Sequence, residues 1–263
     1  MSRGAFFEID RLAYPAVRRL LQHAGPKIAL LPVGSVEAHG PHLPLGTDTF
    51  ISVAVADRAG LRLAAKGMVC LRFPAIAYGV TDWAAMFAGT TSISAATTAA
   101  MVFEACRAIA TMGFDRVVIT NAHLEPAHIA TLRGVAKRFA DELGQPLVFP
   151  DKTRRHAAAR LTEEFRSGSC HAGQYEGSLV LAIHPELVDL PAARRLPAHV
   201  VPLHERIAAG ARDFVECGLP DAYCGDPAAA SRDEGERSLA TLTDLVIEAV
   251  DASLAAPATN PTT

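Results

Sequence analysis

Short apolar runs alternate along the chain with longer segments of helical periodicity. Residues Ile28–Val33 form a continuous apolar run, which is typical of a strand buried on both faces of a parallel sheet. Strand composition recurs at 69–73, 116–120 and 146–149, and the segment 116–120 is mostly β-branched. Helices are predicted at 48–66, 94–112, 126–143, 155–167, 175–184 and 204–216, and a last helix begins after Ser231. Strands separated by helices predict βαβ units and an α/β fold with a mainly parallel sheet.

Composition narrows the class of protein. The chain has 263 residues, of which 50% are hydrophobic, and this is enough to bury a large core. No linker or repeat divides the sequence. We therefore expect one domain at residues 1–255 and a disordered tail, rich in Pro and Thr, at 256–263. Because the net charge is −3, the chain lacks the excess of positive charge that nucleic-acid-binding proteins need, and we expect no nucleic-acid partner.

Neither a membrane nor an oxidising compartment is indicated. No apolar run approaches the roughly 18 residues that span a bilayer, and the first residues lack a signal-peptide pattern. The five cysteines are scattered and form no CxxC pair, so the sequence supports neither a disulfide framework nor a thiolate zinc site. We expect a cytoplasmic protein without a membrane partner.

Carboxylates and imidazoles follow two of the predicted strands. The candidate ligands are Glu37, His39, His42 and Asp48 after the first strand, and His123 and Glu125 after the strand at 116–120. Because the carboxyl ends of parallel strands meet at one edge of a sheet, these side chains are expected to lie close together. Mixed nitrogen and oxygen ligands without thiolate suit a dinuclear Zn, Mn or Fe(II) centre. Alternatively, each histidine could be an ordinary hydrogen-bonded polar residue, and Glu37 could cap the following turn.

Longer motifs in the same loops resemble a known family. The segment LLPVGSVEAHGPHLPLGTDT resembles the signature of the creatininase (creatinine amidohydrolase) family, and NAHLEP resembles its second metal motif. HAGQYEGSLVLAIHPELV and YCGDPAAAS are similar to two later family segments, so the resemblance runs from about residue 28 to 240. It implies a three-layer α/β/α sandwich, commonly a homohexamer, and hydrolysis of C–N bonds in cyclic amides, formamides or short amide linkages.

The resemblance also implies a metal-ligand set. Glu37, Asp48 and His123 match the positions that hold one ion, and His39, Asp48 and Glu125 match those that hold the other. Asp48 then bridges the two ions. Two divalent ions per chain, Zn, Mn or Fe, would activate a water molecule for attack on the amide carbon.

Three residues are implied in proton transfer. Glu125 or Glu176 takes a proton from the water, and His171 returns one to the departing nitrogen. Without the resemblance, Glu176 is better interpreted as a carboxylate at the start of an amphipathic helix, where it favours the helix dipole. A nucleophilic pair of Cys170 and His171 is disfavoured, because adjacent residues rarely make the required contact.

Departures from the family pattern concern the substrate side. The creatinine-hydrolysing branch has tryptophans in the segment equivalent to 150–170, and this chain has none there. Ala84, Ala88 and Gly177 stand where histidine, proline and threonine are usual. The metal motifs are intact while the pocket differs. The expected substrate is therefore a small-molecule amide other than creatinine.

Five residues are candidates for binding that substrate: Thr81, Trp83, Leu124, Arg154 and Tyr175. Trp83 could line the pocket or pack in a core or subunit interface, and Tyr175 could donate to a substrate oxygen or simply pack. Arg154 could bind a carboxylate or phosphate, or it could lie on a solvated helix face.

Two other functions stay open. A two-metal centre also suits phosphoesters, and the cluster Lys152, Arg154 and Arg155 would then bind the phosphate. The third possibility is a non-catalytic member of the family that serves as an assembly or ligand-binding subunit. The presence of all five metal positions argues against it.

Overall fold

A computed structural model describes residues 4–256 of the chain. Five parallel strands form one sheet in the order β1–β3–β2–β4–β5. The strands are β1 (Ala5–Glu8), β2 (Lys27–Val33), β3 (Val69–Arg72), β4 (Arg116–Asn121) and β5 (Leu147–Val148). The α-helices are α1 (Tyr14–Leu21), α2 (Thr47–Ala65), α3 (Ala95–Ala110), α4 (Pro126–Leu143), α5 (Arg155–Ala158), α6 (Glu163–Ser167), α7 (Gln174–Ile183), α8 (Leu190–Ala193), α9 (Leu203–Ala208) and α10 (Arg232–Ala255). Beyond residue 256, the predicted tail lies outside the described residues.

Successive residues of each central strand pack into different cores. In β2, Ile28 and Leu30 belong to a core shared with α2, α7 and α10. Ala29 and Leu31 belong to a second core shared with α3 and α4. Because neighbouring side chains of a strand point to opposite faces, this alternation places helices on both faces of the sheet. The predicted three-layer α/β/α sandwich with a parallel sheet is confirmed.

Helix ends follow local chemistry. Ser94 begins α3, and its Oγ accepts a hydrogen bond from Thr97 N at 3.1 Å. Ser231 begins α10 in the same way, with Glu234 N as the donor at 3.3 Å. Gly144 ends α4 in the left-handed region, at a φ of 65°. These three helices therefore begin or end where the sequence pattern predicts.

Three parts of the chain differ from the prediction. The helix predicted at 155–167 is broken into α5 and α6, because Thr162 caps a new helix by accepting from Phe165 N. The helix predicted at 204–216 is reduced to α9, and turns follow it. The strand β1 and the helix α1 are not predicted. Since β1 is four residues long and only half-buried at the sheet edge, it lacks a continuous apolar run.

The order of the strands reverses at β2. β3 pairs with one side of β2 and β4 with the other, and both pairings are parallel. In open α/β sheets, ligands bind outside the carboxyl ends of the strands at such a switch point. The loops after Val33 and Asn121 begin there. Within residues 4–256, no helix is both long enough and apolar enough to cross a bilayer.

Candidate metal centre and cavity

Five buried side chains meet at the carboxyl ends of β2 and β4. The loop after β2 supplies Glu37 and His39, and the first turn of α2 supplies Asp48. The loop after β4 supplies His123, and the first turn of α7 supplies Glu176. None of the five is more than 3% exposed. Their ligand atoms include the groups Glu37–Asp48–His123 and His39–Asp48–Glu176, in each of which all ligand atoms lie within 4.8 Å of one another.

His123 faces two carboxylates. Its Nδ1 lies 3.1 Å from Glu37 Oε1 and 3.1 Å from Asp48 Oδ2. On the other side of the ring, Nε2 is 2.6 Å from Val80 O. Since a carbonyl can only accept, Nε2 carries a proton and donates to it, and this bond orients Nδ1 toward the carboxylates.

His39 completes the second group. Its Nε2 lies 3.7 Å from Asp48 Oδ1, 3.6 Å from Glu176 Oε2 and 3.8 Å from Glu37 Oε1. These separations exceed hydrogen-bond length. His39 Nε2 is buried and has no hydrogen-bond partner within residues 4–256, while Nδ1 donates to Glu37 O at 3.1 Å. An unpartnered ring nitrogen among three carboxylates is the arrangement that a shared cation would complete.

Hydroxyl groups fix the orientation of two carboxylates. Ser35 Oγ donates to Asp48 Oδ2 at 2.6 Å. Thr81 Oγ1 donates to Glu37 Oε2, which leaves Oε1 toward the histidines. Outer hydrogen bonds of this kind are typical of metal sites, because they hold each ligand atom in one direction.

The electrostatics of the cluster favour bound positive charge. Burial lowers the pKa of His39, but the nearby carboxylates, Asp48 first, outweigh burial and raise that pKa to about 10. Burial raises the pKa of Glu176 to about 7, against the opposing effect of His39. Burial raises and the histidines lower the pKa of Asp48, with a net value well below the usual one. Three buried carboxylates that raise the pKa of both imidazoles give the cluster an excess of negative charge, which divalent metal ions would balance.

Glu125 lies beside this cluster. It belongs to none of the donor groups found among residues 4–256, and Glu176 takes the place beside His39 that the sequence predicts for Glu125. Trp83 N donates to Glu125 Oε2 at 3.2 Å. Burial raises the pKa of the Glu125 carboxyl group, although His123 opposes the shift.

A cavity of about 320 Å³ opens over the cluster. Glu37, Asp48, His123, Glu125 and Glu176 contribute to its lining. Apolar side chains form much of the remaining wall: Trp83, Leu124, Phe165, Leu203, Ile207 and Phe214. The volume is at the lower end of the range of about 300–1,000 Å³ that is usual for small-molecule sites.

His171 also lines the cavity. Its ring stacks on Phe214 with centroids 4.3 Å apart, and its Nε2 is 3.0 Å from Ala38 O. Burial, followed by the charge of His39, lowers the pKa of His171 to about 4. These surroundings favour a neutral imidazole that donates through Nε2 to a carbonyl.

The predicted substrate-binding residues lie in three different places. Trp83 and Leu124 line the cavity. Thr81 is fully buried behind Glu37, and Tyr175 is fully buried against Lys152, whose Nζ lies 5.6 Å from the ring centroid. Arg154 lies in a different groove, where its Nε is 3.2 Å from Asp151 Oδ2. The prediction that Arg154 faces the substrate is therefore not supported by its position.

Several cavity residues have no signal in the sequence. Arg166 and His204 are exposed side chains on its lining, and Phe214 comes from the turns after α9. They become neighbours of the cluster only because the segment 163–214 folds across the ends of the strands. His42, a candidate ligand in the sequence, lies outside the donor groups of the described residues and packs against Tyr223.

Comparisons with known proteins identify the family. The family model described as creatinine amidohydrolase (Creatininase) matches residues 10–250. The mycofactocin precursor peptide peptidase of Mycobacterium ulcerans (strain Agy99) is 34% identical over 220 residues, which cover 82% of this chain and 81% of that protein. The creatinine amidohydrolase of Pseudomonas putida is 29% identical over 185 residues, covering 64% of this chain and 68% of that protein.

The fold is similarly matched by a solved structure. A structure described as Creatininase Mn has a TM-score of 0.70 and 25% identity, with 97% of this chain and 100% of that chain covered. The chain therefore belongs to the creatininase family of hydrolases.

Proposed function

We propose that the protein is a metal-dependent amidohydrolase that cleaves the C–N bond of a small, peptide-like amide other than creatinine. The observation that carries the proposal is the pair of donor groups that share Asp48 at the base of an apolar-walled cavity. Glu125 lies beside them without belonging to either group. This separation gives one set of side chains for holding ions and another carboxylate for moving a proton.

The ligand assignment follows the two groups. Glu37, Asp48 and His123 would hold one divalent ion, and His39, Asp48 and Glu176 would hold the other. When bound, such ions lower the pKa of a water molecule and polarise a carbonyl group. The metal identity, the homohexameric or other homo-oligomeric assembly and the cytoplasmic location expected from the sequence stay predictions.

Glu125 is the proposed proton carrier. Its carboxylate faces the cavity, and its raised pKa brings it nearer to neutrality, where a group can both accept and return a proton. It would accept the proton of the attacking water and transfer it to the departing amide nitrogen. His171 is proposed to orient the substrate, because it lines the cavity and its ring is held by stacking on Phe214 and by the contact of Nε2 with Ala38 O. Its role as a proton donor, implied by the family resemblance, stays a prediction.

The wall of the cavity supports a peptide-like substrate. Trp83, Phe165 and Phe214 provide apolar surface for side chains, and Arg166 provides a cation at the lining. A relative that is 34% identical is named for cleavage of a peptide. None of Lys152, Arg154 and Arg155 lines this cavity, so the cluster that suggested a phosphoester does not face the site.

The substrate class is tested by hydrolysis assays on purified protein of known metal content. We expect about two Mn or Zn ions per chain, and cleavage of short peptides or acyclic amides in preference to creatinine. A phosphomonoester such as p-nitrophenyl phosphate serves as the comparison substrate. Cleavage of the phosphoester alone would establish the alternative reaction. Absence of both metal binding and turnover would support a non-catalytic member.

Arg166 is predicted to bind an anionic group of the substrate. It lies on the cavity lining, and its Nη1 is held by Leu161 O at 2.6 Å. Replacement of Arg166 by alanine is expected to raise KM for a carboxylate-bearing peptide by about fivefold, because an exposed charged pair contributes about 1 kcal/mol. KM for the corresponding amidated peptide should change little. Arg154→Ala is the matched control and should leave both values unchanged; equal effects of the two variants would contradict the assignment.

A further inference from the structure

Glu164 on α6 joins three separate parts of the chain. Its Oε1 accepts from Tyr175 N at 2.7 Å. Its Oε2 accepts from Gln174 N at 2.9 Å and from Asp226 N at 2.8 Å. Both oxygens accept hydrogen bonds from backbone N–H groups, which is the behaviour of an ionised carboxylate. This half-buried acid is thus a structural acceptor rather than a surface charge.

The first contact concerns the helix that carries Glu176. The residue before α7 is Gly173, which has no side chain to cap the helix. The first N–H groups of a helix need acceptors from elsewhere. Glu164 supplies both of its oxygens to Gln174 and Tyr175, directly before Glu176 in the chain. The carboxylate of another helix therefore fixes the start of α7.

The second contact concerns the wall of the cavity. Glu164 is followed by the cavity-lining residues Phe165, Arg166, Gly168, Cys170 and His171. The segment that includes Asp226 is tied to the same wall, because Cys224 N donates to His171 O at 2.8 Å. Movement of the Glu164 carboxylate would therefore release the wall from both α7 and the segment before α10.

Two glycines leave space for this carboxylate. A Cβ atom at Gly173 would lie 2.6 Å from Glu164 Oε1, and a Cβ atom at Gly225 would overlap Oε2. Gly225 also has a φ of +96°, which other residues rarely adopt. Any side chain at either glycine would therefore collide with the carboxylate in this position.

We propose that Glu164 is a positioning residue that fixes the cavity wall at 165–171 relative to Glu176. By these contacts Glu164 keeps His171 and Glu176 directed toward the same substrate. Glu164 is absent from the cavity lining, so it acts through its neighbours. The inference rests on the function proposed above, because it assigns Glu176 to the metal centre.

The test compares Glu164→Gln with Glu163→Gln in the full chain. Glutamine keeps the size of the side chain but turns an N–H donor toward backbone N–H groups. Glu163 is the adjacent, exposed acid of α6 and provides the matched control. We expect Glu164→Gln to weaken Mn²⁺ binding at one site by about 10–100-fold, as is usual for outer-shell changes. It should also lower kcat at saturating Mn²⁺ and speed hydrogen exchange at 172–178, whereas Glu163→Gln changes none of these.

A purely structural contact gives a different result. Unchanged Mn²⁺ affinity, kcat and KM in a Glu164→Gln protein that only melts at a lower temperature would overturn the proposal. If Glu164→Gln does not fold, Glu164→Asp keeps the charge on a shorter side chain and is measured in its place. If the wild type itself binds no Mn²⁺ and hydrolyses no amide, the proposed function fails. Unchanged hydrogen exchange in the variant would then also reject the positioning role of Glu164.

Discussion

Replacement of Asp48 by asparagine is expected to remove both metal ions and to abolish hydrolysis. Asp48 belongs to both donor groups, with Oδ2 near His123 and Oδ1 near His39. Asparagine keeps the size of the side chain but loses the negative charge that the two ions would share. We expect the variant to lose roughly 4 kcal/mol of transition-state stabilisation, which corresponds to about a 10³-fold decrease in kcat/KM. Metal analysis and steady-state kinetics on the same preparation measure both effects.

Asp57→Asn is the matched control for this prediction. Asp57 lies on the same helix, pairs with Arg72 Nε at 2.6 Å and is remote from the donor groups. It should keep two ions and full activity, although the free energy of unfolding is expected to decrease slightly. Retention of two ions and normal turnover by Asp48→Asn would show that Asp48 does not bridge the ions.

Glu125→Gln and Glu176→Gln are expected to fail in different ways. Glu125→Gln removes the proton carrier and should lower kcat by about 10²–10⁴-fold while two ions stay bound. Glu176→Gln removes a ligand beside His39, so it should lose close to one ion per chain along with its activity. Metal content after dialysis separates the two variants even when both are inactive.

Glu142→Gln provides the control at the far end of α4, where the glutamate forms an exposed pair with Arg138. This variant should match the wild type in metal content and in rate. Loss of an ion from Glu125→Gln, together with two retained ions in Glu176→Gln, would restore the ligand set that the sequence implied. The two carboxylates would then exchange roles.

Much of the sheet and of the donor set could be predicted from the sequence. β2 and β4 are buried on both faces, so their residues form continuous apolar runs, and polar residues after them mark the strand ends. The spacing of Glu37 and His39 and the position of His123 then indicate a metal centre. Edge strand β1 could not be found in this way, since partial burial leaves no clear hydrophobic period.

The rest of the site depends on distances between loops in the folded chain, and the spacing of residues along the sequence does not determine those distances. Glu125 and His123 are two residues apart, yet Glu176 from a distant helix takes the place near His39. Similarly, residue type alone does not show whether Arg154 or Arg166 faces the cavity. The break before Thr162 separates α5 from α6, and only Arg166 lines the cavity. Residue type indicates the kind of site, whereas tertiary packing decides which acidic and basic residues lie in it.

The origin of the cavity wall has a consequence for how this fold changes its substrate range. The buried carboxylates and imidazoles of the cluster are held mainly by the loops after β2 and β4 and by α2, within the first 125 residues, and α7 adds Glu176. Much of the apolar wall comes from the short helices α6 and α9 and from the turns after α9, which supply Phe165, Leu203, Ile207 and Phe214. Loops of this kind tolerate insertion and replacement better than packed strands do. The cavity wall can therefore change in evolution while the buried donor groups beneath it are kept.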